Sequence, residues 1–541
     1  MQHMSRTLPR MGPQFKQNSL RKVKQTRACF CSVRCGIVTY LLPAECVNTM
    51  PTTMLSSTRF LQGPPSPLVA TLPCPPASPF DLYTRMASAQ RPSFLFESGN
   101  GRATTGRYSF FASDPYQTLS GKADQYLQQP AHGHEESGQA PFRHLARLVG
   151  NSRITRPVDV PPFFGGAVGY FSYDLVRQFE RLPSAALDDL ATPDLEFAFF
   201  DLVAALDHEQ DCLMLMFCPP LERFLGEPRE KLFREGRDRL AALEARLSSP
   251  ACTETDTDTR GSLAFSPEQQ RSSYIDRVHR CQDYIAAGDI YQANLSHRFT
   301  VTGDAVPSQS GLRPDLLAYS RLRTLNPSPF SGLLRFDHTS LISSSPERLV
   351  RLNGRRADTR PIAGTRPRGA NVADDLRLES ELRSNEKECA EHIMLVDLER
   401  NDLGRVCDFG SVRVDELMTL ERYSHVSHLV SHVGGTLRSN ATGFDLLRAL
   451  FPGGTITGVP KIRCMEIIEE LEPVRRGPYT GSMGYLSWSG DLDFNILIRT
   501  LVRRNGTGYL QVGAGIVADS DPAREYEETI HKAQAFLSAF A

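Results

Sequence analysis

The 541-residue chain has almost no excess of charge, with 61 Lys and Arg against 62 Asp and Glu and a formal net charge of −1. No bulk field draws it to nucleic acid or to an anionic membrane surface, and neither is expected as a partner. It also lacks any run near the roughly 18 consecutive apolar residues that a spanning helix requires, so it reads as soluble and cytoplasmic. Its 12 cysteines are irregularly spaced, as reduced buried thiols are, without the framework of a disulfide-stapled fold. Cys29, Cys31 and Cys35 have no matching second half, and a structural zinc site needs four ligands. Repeats of fixed period are absent, and low complexity is confined to SSPACTETDTDTRGS.

What is present is enough apolar material, 40% of the chain, to bury a large core, and length for two to four domains. Residues 1–75 stand apart. No acidic residue precedes Glu45, while Arg6, Arg10, Lys16 and further Lys and Arg make the opening basic, like a transit peptide or an upstream-extended start. The segment is expected to be disordered and outside the chemistry. Over 76–250, runs such as PSFLFESGNG, GRYSFFASDP, FFGGAVGYFSYD, LEFAFFDLVAALD and CLMLMFCPP read as strands joined by turns, followed by a helix over roughly 223–247. Residues 251–265 read as a linker. Over 266–541, a helix capped by Ser266 and ending near Gly288 leads into YQANLSHRFTV. Strands such as SGLLRF, TSLISSSPERLVRL, FNILIRTLV and GYLQVGAGIVAD then alternate with helices around 386–400, 441–451, 460–471 and 523–540. Strand runs joined by turns favour antiparallel pairing, so the pattern predicts a mix of α and β with largely antiparallel sheets.

Two helices carry glutamates at helical spacing. Glu388 and Glu391 in EKECAEHIMLVD, and Glu525 and Glu528 in DPAREYEETIHKAQAF with Lys532 a turn later, share a helix face within each pair. If the helices meet, four carboxylates and an ammonium converge. A hard divalent cation suits such a point, since magnesium is held by one or two carboxylates, waters and anionic substrate groups. Either pair alone also describes a solvated helix face, but Ile393, Met394, Leu395 and Val396 on one helix and Ala533, Ala535 and Phe536 on the other mark packed helices.

FPGGTITGVPK is not a nucleotide loop, because Val459 and Pro460 separate Gly458 from Lys461. It presents amides and Thr455 at a helix N-terminus, a place that favours an anion, although a turn capping a helix has the same sequence. In GAGIVADSDP, Gly513, Ala514 and Gly515 end a strand and admit close approach to the backbone. Arg499 inside FNILIRTLV calls for an anionic partner. His425, His428 and His432 lack metal logic, and both a histidine that polarises a leaving group and a satisfied core or surface histidine remain open readings.

Together these segments resemble the chorismate-binding enzyme family, which includes anthranilate synthase large subunits, aminodeoxychorismate synthase component I and the isochorismate and salicylate synthases. The resemblance runs from about 270 to 541 through GDIYQANLSHRF, NPSPFSGLLRF, SSSPERLVR, RPIAGTRPRG, EKECAEHIMLVDLERNDLGRVC, FPGGTITGVPKIRCMEIIEELEP, GSMGYLSWSGDLDFNILIRTL and GAGIVADSDPAREYEETIHKA. Residues 91–175 look like the N-terminal region of the two aminating members. The resemblance implies one intertwined α+β body of two large, mostly antiparallel sheets packed together with helices outside, the linker being an excursion. It implies Mg2+ on Glu391 and Glu528 with Glu388 and Glu525 beside them. Chorismate would be held by Tyr479, Arg499, Lys532 and the amides of Gly513 and Gly515. His428 and Thr455 would lie near the departing hydroxyl, and Glu347 near the departing or attacking group. Such a site must neutralise a dicarboxylate and assist a poor leaving group, so cations, a metal and a proton donor are the types it needs.

Members that add water carry a lysine in what resembles GDIYQANLSHRF, and this chain has Gln292, which points to amination. Ala363 in PIAGT is what anthranilate synthases have, where well-known aminodeoxychorismate synthases have a lysine thought to attack the ring. DLERNDLGRVC, FPGGTITG and GSMGYLSWSGDLDFNILIRTL resemble the aminodeoxychorismate branch instead. The favoured reading is 4-amino-4-deoxychorismate as product, feeding 4-aminobenzoate and folate synthesis, with anthranilate plus pyruvate as the alternative. With no G-x-C-x-G elbow in the chain, ammonia is expected from a separate glutamine amidotransferase subunit. Ser98 and Asn326–Pro327 resemble the family's tryptophan pocket, and a silent tryptophan-binding homologue is a third reading; the intact Glu391, Arg499, Glu528 and Lys532 speak against silence.

Overall fold

Residues 53–55, 57–87, 92–98, 106–249, 264–302, 314–423 and 426–538 are described by the computed structural model; the chain up to residue 52, most of the linker and His425 lie outside them. From Thr52 onward the chain is one compact unit, in which the described strands form a 13-stranded and a 12-stranded sheet. The first sheet runs from Thr53–Leu55 and Leu68–Pro73 through Cys212–Phe217, Leu202–Asp207, Tyr108–Ser113 and Ser93–Glu97. It continues through Phe330–Arg335, Thr339–Ser345, Thr500–Arg504 and Thr507–Ile516 to Gln292–Thr302 and Ala264–Pro267. The second runs from Ile362–Pro367 through Val426–Thr436, Arg356–Arg360, Arg348–Asn353, Leu492–Asn495 and Ser482–Ser487 to Gly166–Phe171, Leu195–Phe200 and the hairpin strands up to Glu136–Gln139. The pairings within both are antiparallel, as predicted, and each sheet draws strands from both sides of residue 250.

Central strands such as Gly166–Phe171 are buried along their whole length, which is why they read as unbroken apolar runs rather than alternating ones. Several sequence expectations change. Leu68–Pro73 was expected to be disordered, yet it pairs with Cys212–Phe217, and Leu68, Val69 and Ala70 are buried: the apolar LVA outweighs the basic composition upstream. LEFAFFDLVAALD is two strands in different sheets, broken at Asp201. The helix over 223–247 is two, Leu221–Gly226 and Arg229–Ser248, because Pro228 cannot continue a helix and caps the second. Ser266 caps nothing; it lies in the edge strand Ala264–Pro267, opposite Thr300, and the helix Arg271–Ala286 starts after Gln270 with no side-chain cap.

A second, smaller core positions the site. Tyr274, Cys281, Leu295, Cys464, Ile467 and Ala514 are among the residues that join the helices Arg271–Ala286 and Lys461–Leu471 to the strands Gln292–Thr302 and Thr507–Ile516.

Candidate active site

Two chain crossings between the sheets lie side by side. TSLISSSPERLVRL leaves the first sheet at Ser345 and enters the second at Arg348, and Glu347 sits in the gap. DFNILIRTL leaves the second sheet at Asn495 and enters the first at Thr500, and Arg499 sits in that gap rather than inside a strand. The crossings are tied together: the Ile496 amide donates to the Glu347 carbonyl (3.0 Å), the Ser345 hydroxyl to the Ile496 carbonyl (2.6 Å), and the Ser344 amide to the Arg499 carbonyl (3.0 Å). Arg499 takes a left-handed φ of 51°, a conformation that costs a non-glycine residue about 1–2 kcal/mol.

These crossings deliver groups that are buried and short of partners. Glu347 is 5% exposed; desolvation raises its pKa to about 7 against the opposing pull of Thr455, the Ile362 amide and the Arg499 charge. Burial lowers the pKa of Arg499, and Glu347 is the group that opposes this. The anionic group beside its guanidinium is thus Glu347, which acts on it through charge. His428, on Val426–Thr436, is pushed down to about 4 by desolvation and then by Arg499, so it is neutral near pH 7. Its Nδ1 lies 2.9 Å from the Thr365 hydroxyl, and its Nε2 is buried without a partner. Thr455, on the short turn Gly454–Ile456, is close enough to lower the Glu347 pKa, yet its buried hydroxyl makes no hydrogen bond of good geometry. A buried polar atom left unpaired costs about 1–3 kcal/mol, and a polar ligand would relieve several here at once. His432 serves elsewhere, between Asp358 (3.5 Å) and Asp415 (3.3 Å).

The helices Glu386–Gly404 and Pro522–Leu537 supply the opposite wall. Asn385 caps the first by accepting from the Glu388 amide, and Asp521 caps the second by accepting from the Arg524 amide. Gln292 donates to Glu391 through Nε2 (2.7 Å), which leaves the Gln292 Oε1 buried and unpaired. A Cβ on Gly515 would lie 2.6 Å from that Nε2, and one on Gly513 would lie 2.5 Å from Asn294 Oδ1 and 2.8 Å from the Tyr479 hydroxyl; only glycine lets these side chains pack against the strand. Beyond Leu510 this strand has no neighbour on its second edge among the described residues. Lys532 reaches it, donating to the Gly513 carbonyl (3.0 Å) while pairing with Glu528 (2.7 Å). Burial and then the Glu528 charge raise the Glu525 pKa against Ser520, Lys387 and Lys532; Lys387 belongs to the first helix, so its charge reaches the second.

The four carboxylates nonetheless do not converge. Glu388 turns to Arg366 (2.7 Å), Glu391 accepts from Gln292, and Glu528 pairs with Lys532. No group of three His, Cys, Asp or Glu suited to a metal occurs among the described residues. Arg366 and Gln292 come from distant segments that the spacing could not reveal, whereas Lys532 stands one turn after Glu528. The donor set still fits magnesium of the kind held by one or two carboxylates with water and substrate oxygens, and Glu388 Oε2 is buried without a partner.

Ser98 lines a cavity of about 390 Å³ between the sheets with Glu97, Arg107, Tyr108, Pro329 and Phe330. Asn326 and Pro327 are not in its lining; the Asn326 carbonyl accepts from the Ser344 hydroxyl. Arg366 and the buried Glu399, whose carboxyl rises to about 8 chiefly by desolvation, went unrecognised in the sequence. The Arg476–Glu472 pair did too, although its i,i+4 spacing was a usable signal.

The fold and this site define a class: an α+β protein of two antiparallel sheets that sets an arginine beside a protonatable buried carboxyl, with acidic helices nearby. Residues 91–538 match the family described as chorismate binding enzyme. Relatives include anthranilate synthase component 1 of Thermus thermophilus, 45% identical over 85% of this chain and 95% of its own length. Another is aminodeoxychorismate synthase component 1 of Bacillus subtilis, 41% identical over 84% and 93%. Among solved structures, anthranilate synthase component I from Streptococcus pneumoniae matches with a TM-score of 0.69 at 32% identity, over 86% of this chain and 98% of that one. The chain belongs to the chorismate-binding enzyme family. No described helix is long and apolar enough to cross a membrane.

Proposed function

We propose that this chain aminates chorismate and that its product is 4-amino-4-deoxychorismate. The observation that carries the substrate class is Arg499, a guanidinium set beside a carboxyl that titrates near neutrality. Chorismate is a dicarboxylate. Arg499 and Lys532 match its charges, and the open strand edge at Gly513 and Gly515 offers amides, with Tyr479 packed against Gly513. Glu347 gives its proton to the ring hydroxyl, whose C–O bond breaks to release water, while Thr455 and the free Nε2 of His428 hydrogen-bond the departing oxygen. Ammonia forms the C–N bond and passes its surplus proton to the Glu347 carboxylate, which restores the acid. Gln292 cannot remove a proton from water, and ammonia needs no such help. Magnesium, held by Glu391 and Glu528, would neutralise the ring carboxylate and draw electron density from the ring.

The aminodeoxychorismate product is supported by GSMGYLSWSGDLDFNILIRTL and by the relative of that name in Bacillus subtilis. A second reading, anthranilate, is favoured by Ala363, buried opposite Leu429, and by several relatives named anthranilate synthase component 1. Relatives named as component 1 imply a second component, which we take to be a glutaminase supplying ammonia. The 390 Å³ cavity at Ser98 is the candidate tryptophan pocket. The test is to incubate the purified chain with chorismate, magnesium and ammonium and identify the product by mass and fluorescence. Aminodeoxychorismate, converted to 4-aminobenzoate only by an added lyase, is expected; anthranilate with pyruvate release would sink the product assignment in favour of the second reading.

A further inference from the structure

One buried guanidinium ties together three segments of the site. Arg476 is 4% exposed and donates through every N–H of its fork. Nε donates to Glu472 Oε2 (2.9 Å), and Nη1 to the Ile456 carbonyl (3.0 Å) and the Thr480 hydroxyl (3.3 Å). Nη2 donates to the Asn294 carbonyl (2.6 Å) and to Glu472 Oε1 (2.7 Å). Its guanidinium carbon lies 5.7 Å from the centre of the Tyr479 ring and 5.0 Å from that of Tyr173. Glu472 in turn accepts from the amide and hydroxyl of Ser296 (both 2.8 Å), and Gln511 donates to that same hydroxyl (2.9 Å).

The partners are not scattered. Ile456 follows Thr455 on its turn. Asn294 is opposite Gly515 in the strand ladder and two residues from Gln292. Thr480, held at a left-handed φ of 57°, follows Tyr479. Loop, strand and turn come from distant parts of the chain, and Arg476 is the group that hydrogen-bonds all three.

We infer that Arg476 is a positioning residue for the reaction proposed above: anchored by Glu472, it fixes Thr455, the strand facing Gly515, and Tyr479 relative to one another, so that the donor to the departing hydroxyl and the groups gripping the substrate keep one geometry. The inference rests on that functional reading. Lysine cannot replace it, because an ammonium has three donors and no planar fork, and displacement of a reacting group by about 1 Å can cost about 10²-fold in rate.

The test is Arg476→Lys and Arg476→Ala, followed by chorismate consumption with saturating ammonium and magnesium, thermal unfolding, and addition of millimolar guanidinium to the alanine variant. Expected is a fall in kcat of about 10- to 100-fold in both, a chorismate KM within a few-fold, and partial, saturable recovery of Arg476→Ala by guanidinium. Folded variants with unchanged kcat, or a loss that guanidinium does not relieve, would overturn the inference. Should both variants fail to fold, Glu472→Gln decides: a reduced kcat at near-normal melting temperature supports the positioning role, and a normal kcat sinks it. Because chorismate loss is the readout, a wrong product assignment leaves the test intact, whereas a wild-type chain inert toward chorismate removes the functional reading and this inference together.

Discussion

The two walls of the candidate site are built on opposite principles. At the sheet crossings, Glu347 is 5% exposed, Arg499 lies within reach of its charge, and His428 and Thr455 offer buried atoms without a hydrogen-bond partner. On the helices, Glu528 and Lys532 keep 54% and 49% of their side chains in solvent and are paired with each other. An exposed i,i+4 pair is worth only about 0.3–0.5 kcal/mol, so a ligand or cation exchanges it at little cost. The buried wall cannot rearrange so cheaply, because the close packing of the crossings and their shared hydrogen bonds fix it. The comparison teaches a division of labour: bond breaking is prepared where water is excluded, and gripping is left to groups that change partners on binding.

That division is broken most directly at Glu347. Glu347→Gln keeps the shape and loses the proton, so kcat should fall by about 10²–10⁴, the range for a general acid, with chorismate affinity nearly unchanged. The sign of the pH dependence follows from a carboxyl that titrates at about 7 and acts in its protonated form. At fixed free ammonia, kcat/KM should be full below that pH and decline as pH rises through it, and Glu347→Gln should show no such limb. A variant that retains the limb would move the acid elsewhere.

Arg499→Met comes next. Losing a charge-assisted contact costs about 1.5–3 kcal/mol, which weakens chorismate binding by roughly one to two powers of ten. Arg499 lowers the Glu347 pKa, so the alkaline limb should also move upward. Calorimetric titration with chorismate and the pH profile read the two effects separately; an unmoved limb would show that the two crossings are not electrostatically joined.

The helix wall was the part legible in sequence, for a physical reason. Glu388, Glu391, Glu525 and Glu528 announce themselves by helical spacing, and the helices run over Glu386–Gly404 and Pro522–Leu537, close to their predicted spans. Spacing along one helix says nothing about partners from elsewhere, so Arg366 taking Glu388 and Gln292 taking Glu391 were invisible. The crossings were harder still. Short apolar runs of similar composition on both sides of Pro346–Glu347 and of Ile496–Arg499 read as single strands, because local pattern reports burial and not which sheet is entered. The antiparallel class survived these errors, since it depends on short strands joined by turns.

On the helix wall the expected effects are smaller. Glu528→Ala should raise the magnesium concentration for half-maximal activity at least about tenfold, a loss seen even for outer partners of metal ligands, while activity at saturating magnesium is largely retained. An unchanged magnesium titration would remove Glu528 from the metal assignment. The contrast with Glu347→Gln, which no magnesium concentration should rescue, sharpens the difference between the walls.

Lys532 should show the smallest effect and the one most dependent on conditions. Its ammonium already has two partners, Glu528 and the Gly513 carbonyl, and is half exposed, so a ligand anion replaces contacts rather than creating them. Lys532→Met keeps the stem and removes the charge, for a loss of about 0.2–1 kcal/mol, equivalent to a few-fold rise in the chorismate KM at unchanged kcat. Exposed charges are screened by salt with a Debye length of about 8 Å at physiological ionic strength. Raising ionic strength should therefore increase the wild-type KM and leave the variant nearly flat, until the two converge. A fall in kcat instead would mean that Lys532 acts on the reacting atoms, and the helix wall would then belong to the chemistry rather than to the grip.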